Sequence, residues 1–205
     1  MKKLLAILLS CTAFLCVLSG CGESKGNLMG DIENMAEEDL PYGSTMRELK
    51  DTPIIISFDR RFLEDETMKK VVDYFYAVQT NDEKLFKSVS NEDYLNYVEK
   101  NSGQSITDYL KGIKANEENA IGTSFEYNYL EITDLKKKGE DTQISEIIKL
   151  MDQLYSDGGK ESFDKTIKNA YALTVSVTSD ANGSSFTNEA NVYVFECEDG
   201  TYIFN

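Results

Sequence analysis

"YALTVSVTSDANGSSFTNEANVYVFECEDGTYIF", Tyr171 to Phe204, is the stretch whose reading decides the fold. Tyr171, Leu173, Val175 and Val177 alternate with small or hydroxylated residues, the period of two expected of a strand with one apolar face. Asn182-Gly183 then offers a two-residue turn in which both residues tolerate positive φ. The chain returns through "TNEANVYVFEC", and Asp199-Gly200 turns it into "TYIF". The spacing predicts a three-stranded antiparallel meander. Val192 and Val194 fall on one face, Tyr193, Phe195 and Cys197 on the other. Apolar character on both faces implies a sheet covered on two sides, by its own helices and by a partner or an inserted helix.

Working back from the meander, "DTQISEIIKLMDQLYSDGG" is the clearest helix. Ile144, Ile147, Ile148, Met151, Leu154 and Tyr155 form one stripe, and Gly158-Gly159 stop it. This helix, over 143–155, is inserted between strands. Residues 123–133, "TSFEYNYLEIT", alternate Phe125, Tyr127 and Tyr129 and then shift phase to Leu130 and Ile132, which predicts a strand with a bulge or bend near Tyr129. Helical periodicity begins at Asp65, with Met68, Val71, Val72, Phe75 and Val78 on one face. Thr80-Asn-Asp-Glu83, Ser90-Asn-Glu-Asp93 and Ser105-Ile-Thr-Asp108 each resemble a capping box, so three shorter helices are expected before Gly122. Pro41 and Gly43 mark a turn, and Ile54 to Phe58 is a short apolar segment, a strand or an arm docked on the domain. Residues 22–40 are polar and acidic with three glycines, the composition of a flexible tether.

The chain begins Met1-Lys2-Lys3 and continues "LLAILLSCTAFLCVLSGC". Two lysines before a short apolar run match the charged and hydrophobic regions of an export signal, and Leu4 to Leu18 is shorter than the roughly 20 residues of a membrane-spanning helix. The closing Leu18-Ser19-Gly20-Cys21 resembles the lipobox of bacterial lipoproteins. That resemblance implies cleavage between Gly20 and Cys21 and a diacylglyceryl group, with further acylation, on Cys21. Two or three acyl chains, at about 0.8 kcal/mol per buried methylene, would hold the chain on a membrane. Of four cysteines, Cys11 and Cys16 then leave with the signal and Cys21 is modified. Cys197 is left without a partner for an internal disulfide, and its apolar strand context predicts a buried thiol.

Without its signal the chain has 185 residues, enough for one domain plus a tether. With Lys2 and Lys3 removed, 19 basic residues face 36 acidic ones, a net charge of −17. Such a surface repels nucleic acid and anionic lipid headgroups. The chain has no histidine, which removes the commonest general base and metal ligand. It has 12 tyrosines, each offering apolar area and a hydroxyl.

Helices first, then long bent antiparallel strands ending in "NVYVFECEDGTYIF", resemble the nuclear-transport-factor-two-like cone over residues 64–205. The resemblance implies an α+β domain in which amino-terminal helices pack on a curved, bent antiparallel sheet, with a pocket at the open end. Tyr202 stands where that family often has tryptophan, and the helix at 143–155 departs from its pattern. The opening "LPYGSTM…FDRRF" is similar to small lipoproteins of Gram-positive bacteria that carry such a domain. The expected organisation is signal 1–20, tether 21–40, amino-terminal arm 41–63 and cone-like domain 64–205.

Candidate pocket-lining residues are Asp73, Tyr76, Tyr127, Tyr129, Tyr171 and Tyr193. The isomerase-like members implied by the resemblance use a pocket Asp as base and Tyr as oxyanion donor, and Asp73 beside Tyr74 and Tyr76 is the candidate for that role. Its place between Val72 and Phe75 also suits a solvated helix flank. Asp180 to Asn191 shares part of a calcium-loop spacing, but Ser185 and Asn191 stand where glycine and glutamate are needed, so a hairpin turn is the expectation. No catalytic residue, metal or cofactor is assigned. The expectation is a lipid-anchored extracytoplasmic lipoprotein of the cell membrane that binds a small molecule or peptide without catalysis. The alternatives are an assembly module, including a homodimer, and an isomerase-like enzyme using Asp and Tyr.

Overall fold

The computed structural model describes residue 36 and residues 40–205. The expected signal, Cys21 and nearly all of the expected tether lie outside the described residues. The elements run β1 (Met46–Leu49), β2 (Ile55–Asp59), α1 (Asp65–Thr80), α2 (Glu83–Ser88), α3 (Glu92–Ser102), α4 (Ile106–Ile121), β3 (Glu126–Lys137), α5 (Thr142–Asp157), α6 (Phe163–Thr166), β4 (Ile167–Ala181), β5 (Ser184–Cys197) and β6 (Thr201–Phe204). The strands form one curved, open sheet in chain order, β1 to β6, and only the β2–β3 pair is parallel. The expected α+β class is therefore observed, with amino-terminal helices on a bent sheet and one long helix inserted between strands.

The meander forms as its alternation requires. β4 and β5 pair without interruption from Asn169↔Glu196 to Ala181↔Ser184, and β5 pairs with β6 over Tyr193↔Phe204 to Glu196↔Thr201. Asn182 (φ 51°) and Gly183 (φ 77°) join β4 to β5, both in the left-handed region that favours asparagine and glycine. β3 carries register shifts between Tyr127 and Tyr129 and between Ile132 and Asp134, so the expected bulge near Tyr129 is present. β2 lies beside β3 with Ile56 and Phe58 in the inner core, and Ser57 and Asp59 are buried as well, so the segment is an interior strand rather than a loose arm.

Two apolar layers follow from strand parity. On the inner face, Tyr171, Leu173, Val175 and Val177 of β4 meet Val192 and Val194 of β5 and Leu130 and Ile132 of β3 under α1, α2 and α4. On the outer face, Ala170, Phe195, Cys197 and Phe204 meet Ile144, Ile148, Met151 and Tyr155 of α5 and Phe163 of α6. The apolar character of both faces of β5 thus has its cover within one chain, in the inserted helix. Cys197 is the buried thiol expected.

Two helix caps differ from the sequence expectation. Thr80 ends α1 by donating its hydroxyl to the Tyr76 carbonyl, and Asp82 caps α2 by accepting from the Leu85 amide. Ser90 likewise donates back to Phe86, leaving Asn91 to cap α3. Both shifts arise because a hydroxyl one turn after a helical carbonyl satisfies it locally. Ser105 caps α4 as expected, accepting from the Asp108 amide.

Candidate functional site

The six sequence-named pocket residues do not converge on one cavity. Tyr127 and Tyr171 are buried on the inner face among the helices. Tyr127 stacks edge-on against Phe75, with ring centroids 5.5 Å apart, and burial pushes its hydroxyl pKa up. Tyr76 is half-buried against the same core. Tyr129 emerges on the outer face, where its hydroxyl donates to Glu48 Oε1 at 3.3 Å. Tyr193 lies on the outer face beside α5. Asp73 is half-buried on α1, and burial raises its pKa while neighbouring Lys70 opposes the rise.

The interior of the cone is occupied by rings. Tyr109, Phe86, Tyr74, Phe75, Tyr127 and Phe125 form a continuous ladder with neighbouring centroids 4.7 to 6.4 Å apart. Each contact adds edge-to-face or tilted aromatic packing to the apolar area buried. Glu117 of α4 stands close enough to Tyr74 and Tyr127 to affect both, and burial lifts its carboxyl pKa above the usual value. It is an ionisable group that no spacing along the chain singles out, because Glu117 and Glu118 are adjacent, both half-buried, and only the packing of α4 on the ring ladder brings Glu117 near Tyr74 and Tyr127.

The ladder ends at an open cleft of about 510 Å³ at the mouth of the cone. Gln79 and Thr80 at the end of α1, Lys114 of α4, Ser124 to Glu126 at the start of β3, and Asp180 to Gly183 at the β4–β5 turn line it. Gln79 organises this mouth. Its side-chain oxygen accepts from the Tyr127 amide at 2.6 Å, and its backbone carbonyl accepts from Lys114 Nζ at 2.7 Å. Asp180 accepts from Ser185 Oγ and from Asn128 Nδ2, and these donors hold its carboxyl below the usual range. The rim therefore presents two carboxylates, Glu126 and Asp180, one ammonium with protons to spare, and the turn backbone. The floor is Phe125 and Ala181, both buried. Such a site can orient a small polar molecule.

A second polar construction fixes the arm. Asp59 is 0% exposed and pairs with Arg61, Oδ2 to Nη2 at 2.6 Å. Asp59 also accepts from the Gly43 amide and the Thr45 hydroxyl, while Arg61 donates to the Leu40 and Pro41 carbonyls. Arg61 first, then Thr45 and the backbone amides, hold the Asp59 carboxyl far below the usual carboxylate range despite burial. This node ties the first described residues of the arm to β2; it is a fastening, with its polar atoms turned on each other.

No protein-family model, curated protein or solved structure matches the chain.

Proposed function

We propose that the chain is a lipid-anchored, extracytoplasmic binding module whose mouth cleft takes a small, cation-bearing polar molecule without transforming it. The observation that carries this reading is the cleft itself: two rim carboxylates and one lysine over an apolar floor, at the end of a cone whose interior is filled by aromatic rings. Glu126 and Asp180 would receive a cationic group, Lys114 an acceptor, and the ring of Phe125 the apolar part of the ligand. The Leu18-Ser19-Gly20-Cys21 motif supports the anchor, with Cys21 as the acylated residue, and the resemblance to the nuclear-transport-factor-two-like cone supports a ligand at the open end. The inner tyrosines serve packing in this reading, which is why it is non-catalytic.

The test is native mass spectrometry of the chain without its signal, purified gently, followed by thermal-shift titration with small amines and amino acids. The expected result is added mass released by denaturant, or a ligand-dependent rise in melting temperature, that Glu126→Gln with Asp180→Asn abolishes. A bare chain whose melting temperature responds to none of these molecules overturns the reading.

A further inference from the structure

The cleft does not account for the long free edge that begins at its rim. β6 covers β5 only from Tyr193 to Glu196. Among the described residues, no strand pairs with Ser184 to Val192 on the side away from β4. That is nine residues of edge, about 30 Å at the usual strand rise.

Parity shows which groups the edge offers. The Cys197 amide bonds the Gly200 carbonyl across the β5–β6 turn, and the Asn191 carbonyl accepts from the Asn205 side chain, both on the side away from β4. Odd-numbered residues of β5 therefore direct their amides and carbonyls outward, and the uninterrupted β4–β5 register carries that alternation back through Glu189, Thr187 and Ser185. The same odd residues point their side chains to the outer face. Even residues point to the inner face, where Phe186 is 40% exposed.

Protected edges are short, bulged, covered, or guarded by lysine or proline. The opposite edge, β1, has four residues, and β6 is covered where the Ile203 amide bonds the Val89 carbonyl. The stretch from Ser184 to Val192 has no lysine, no proline and no bulge. Its surroundings are predominantly acidic. Across the outer face the register places Glu189, Ser176 and Glu131 in one row and Asn191, Thr174 and Asp134 in the next, with Asp180 and Glu126 beyond, against Lys136.

We infer that the free edge of β5, Ser184 to Val192, is a docking site for an extended partner segment in which basic residues alternate with apolar ones. Strand addition satisfies the outward amides and carbonyls of Ser185, Thr187 and Glu189, below the Asn191 carbonyl that Asn205 already bonds. Basic side chains on the outer side meet Glu189 and the carboxylates behind it, and apolar side chains on the inner side cover Phe186. A second copy of this chain would bring a further −15 to an already acidic surface, so charge complementarity selects the basic partner. This inference shares Asp180 and Glu126 with the rim of the mouth cleft, but it is carried by the free edge and by Glu189, Glu131 and Asp134, which the cleft does not use.

The experiment is fluorescence anisotropy of a labelled nine-residue peptide of alternating lysine and valine, titrated with the full chain in neutral detergent micelles. Binding is expected, weakening with salt. Thr187→Pro removes one outward amide while leaving the backbone ladder to β4, at the loss of the exposed Thr178–Thr187 hydroxyl contact, and should weaken binding about tenfold. Glu189→Lys, which leaves the backbone intact, should weaken it about fivefold. Absence of binding, or equal binding by both variants in the same micelles, overturns the inference. So does a chain that dimerises through this edge and loses its dimer in Thr187→Pro, since the second copy is then the occupant.

Discussion

At one end of the β4–β5 ribbon, Ala170, Phe195 and Cys197 lie beneath α5 and α6 while Tyr171 and Val194, one residue away in sequence, lie beneath the amino-terminal helices. At the other end the same two strands run on through Thr178 and Thr187, Asp180 and Ser185, with β5 exposed on both faces. β5 is thus a core element at its base and a surface element at its tip, while the inner side of β4 stays buried through Val177, Ser179 and Ala181. The change is written in composition: alternation of Val, Tyr and Phe with Ala and Cys gives way to Ser, Thr, Asn and Glu. The hydrogen-bonded ladder is the same throughout, so pairing with β4 holds the tip of β5 in place where its own side chains are no longer buried. A strand held by one ladder, with its other side free, is what an arriving strand requires.

The largest effect should come from emptying the base. Phe195 is fully buried between Phe163 and Phe204, with centroids at 5.7 and 5.2 Å. Phe195→Ala should cost about 3–5 kcal/mol, the usual range for truncating a buried phenylalanine. Denaturant unfolding followed by circular dichroism measures it. A loss below about 1 kcal/mol would mean that α5 packs on the outer face without supporting the domain, and the contrast between base and tip would collapse.

How much of this was legible beforehand depends on how local each signal is. The two β-turns, the α5 stripe, the Ser105 cap and the bulge at Tyr129 are written in neighbouring residues, and each appears where its pattern places it. β1 and α6, four residues each, are too short to show a period, and the polar end of β3 up to Lys137 is carried by pairing with β4 rather than by its own composition. The mouth cleft draws on α1, α4, β3 and the β4–β5 turn, so no spacing along the chain announces it. Tyr127, Tyr129, Tyr171 and Tyr193 all lie on strands, yet parity sends Tyr127 and Tyr171 inward and Tyr129 and Tyr193 outward. The phase shift at the β3 bulge is what separates Tyr127 from Tyr129, and only the register shows its effect.

The same contrast extends to the opposite edge of the sheet, which is fastened by charge. Arg61→Met leaves Asp59 buried beside an apolar chain and should cost about 3 kcal/mol at neutral pH, at the lower end of the range for breaking a buried pair. The sign with pH follows from the depressed Asp59 pKa. The stabilisation is fully present above the carboxylate's unfolded value of about 3.9 and is lost as pH falls through the folded value. Wild type and Arg61→Met should therefore differ most near neutrality and converge in acid, because Asp59 in the variant escapes its penalty by taking a proton. Urea unfolding at pH 7 and pH 3 checks this. A gap that stays constant with pH would assign the loss to the carbonyl contacts of Leu40 and Pro41 instead.

The smallest effect belongs to the tip. Phe186 is as large as Phe195 and sits nine residues earlier on the same strand, opposite Ser179, yet it is 40% exposed. Phe186→Ala removes the same atoms, but a large part of the ring, 40% of the residue's surface, is already in water and no enclosed cavity is left behind. The expected change in stability is within about 0.5 kcal/mol, the level of ordinary surface substitutions. Measured beside Phe195→Ala under the same denaturant, it isolates burial as the variable, since residue type, strand and ladder are shared. A cost at Phe186 approaching that at Phe195 would require a covering layer over the inner side of the tip. The free edge would then have to be treated as already shielded, and the basic peptide would find its apolar positions filled.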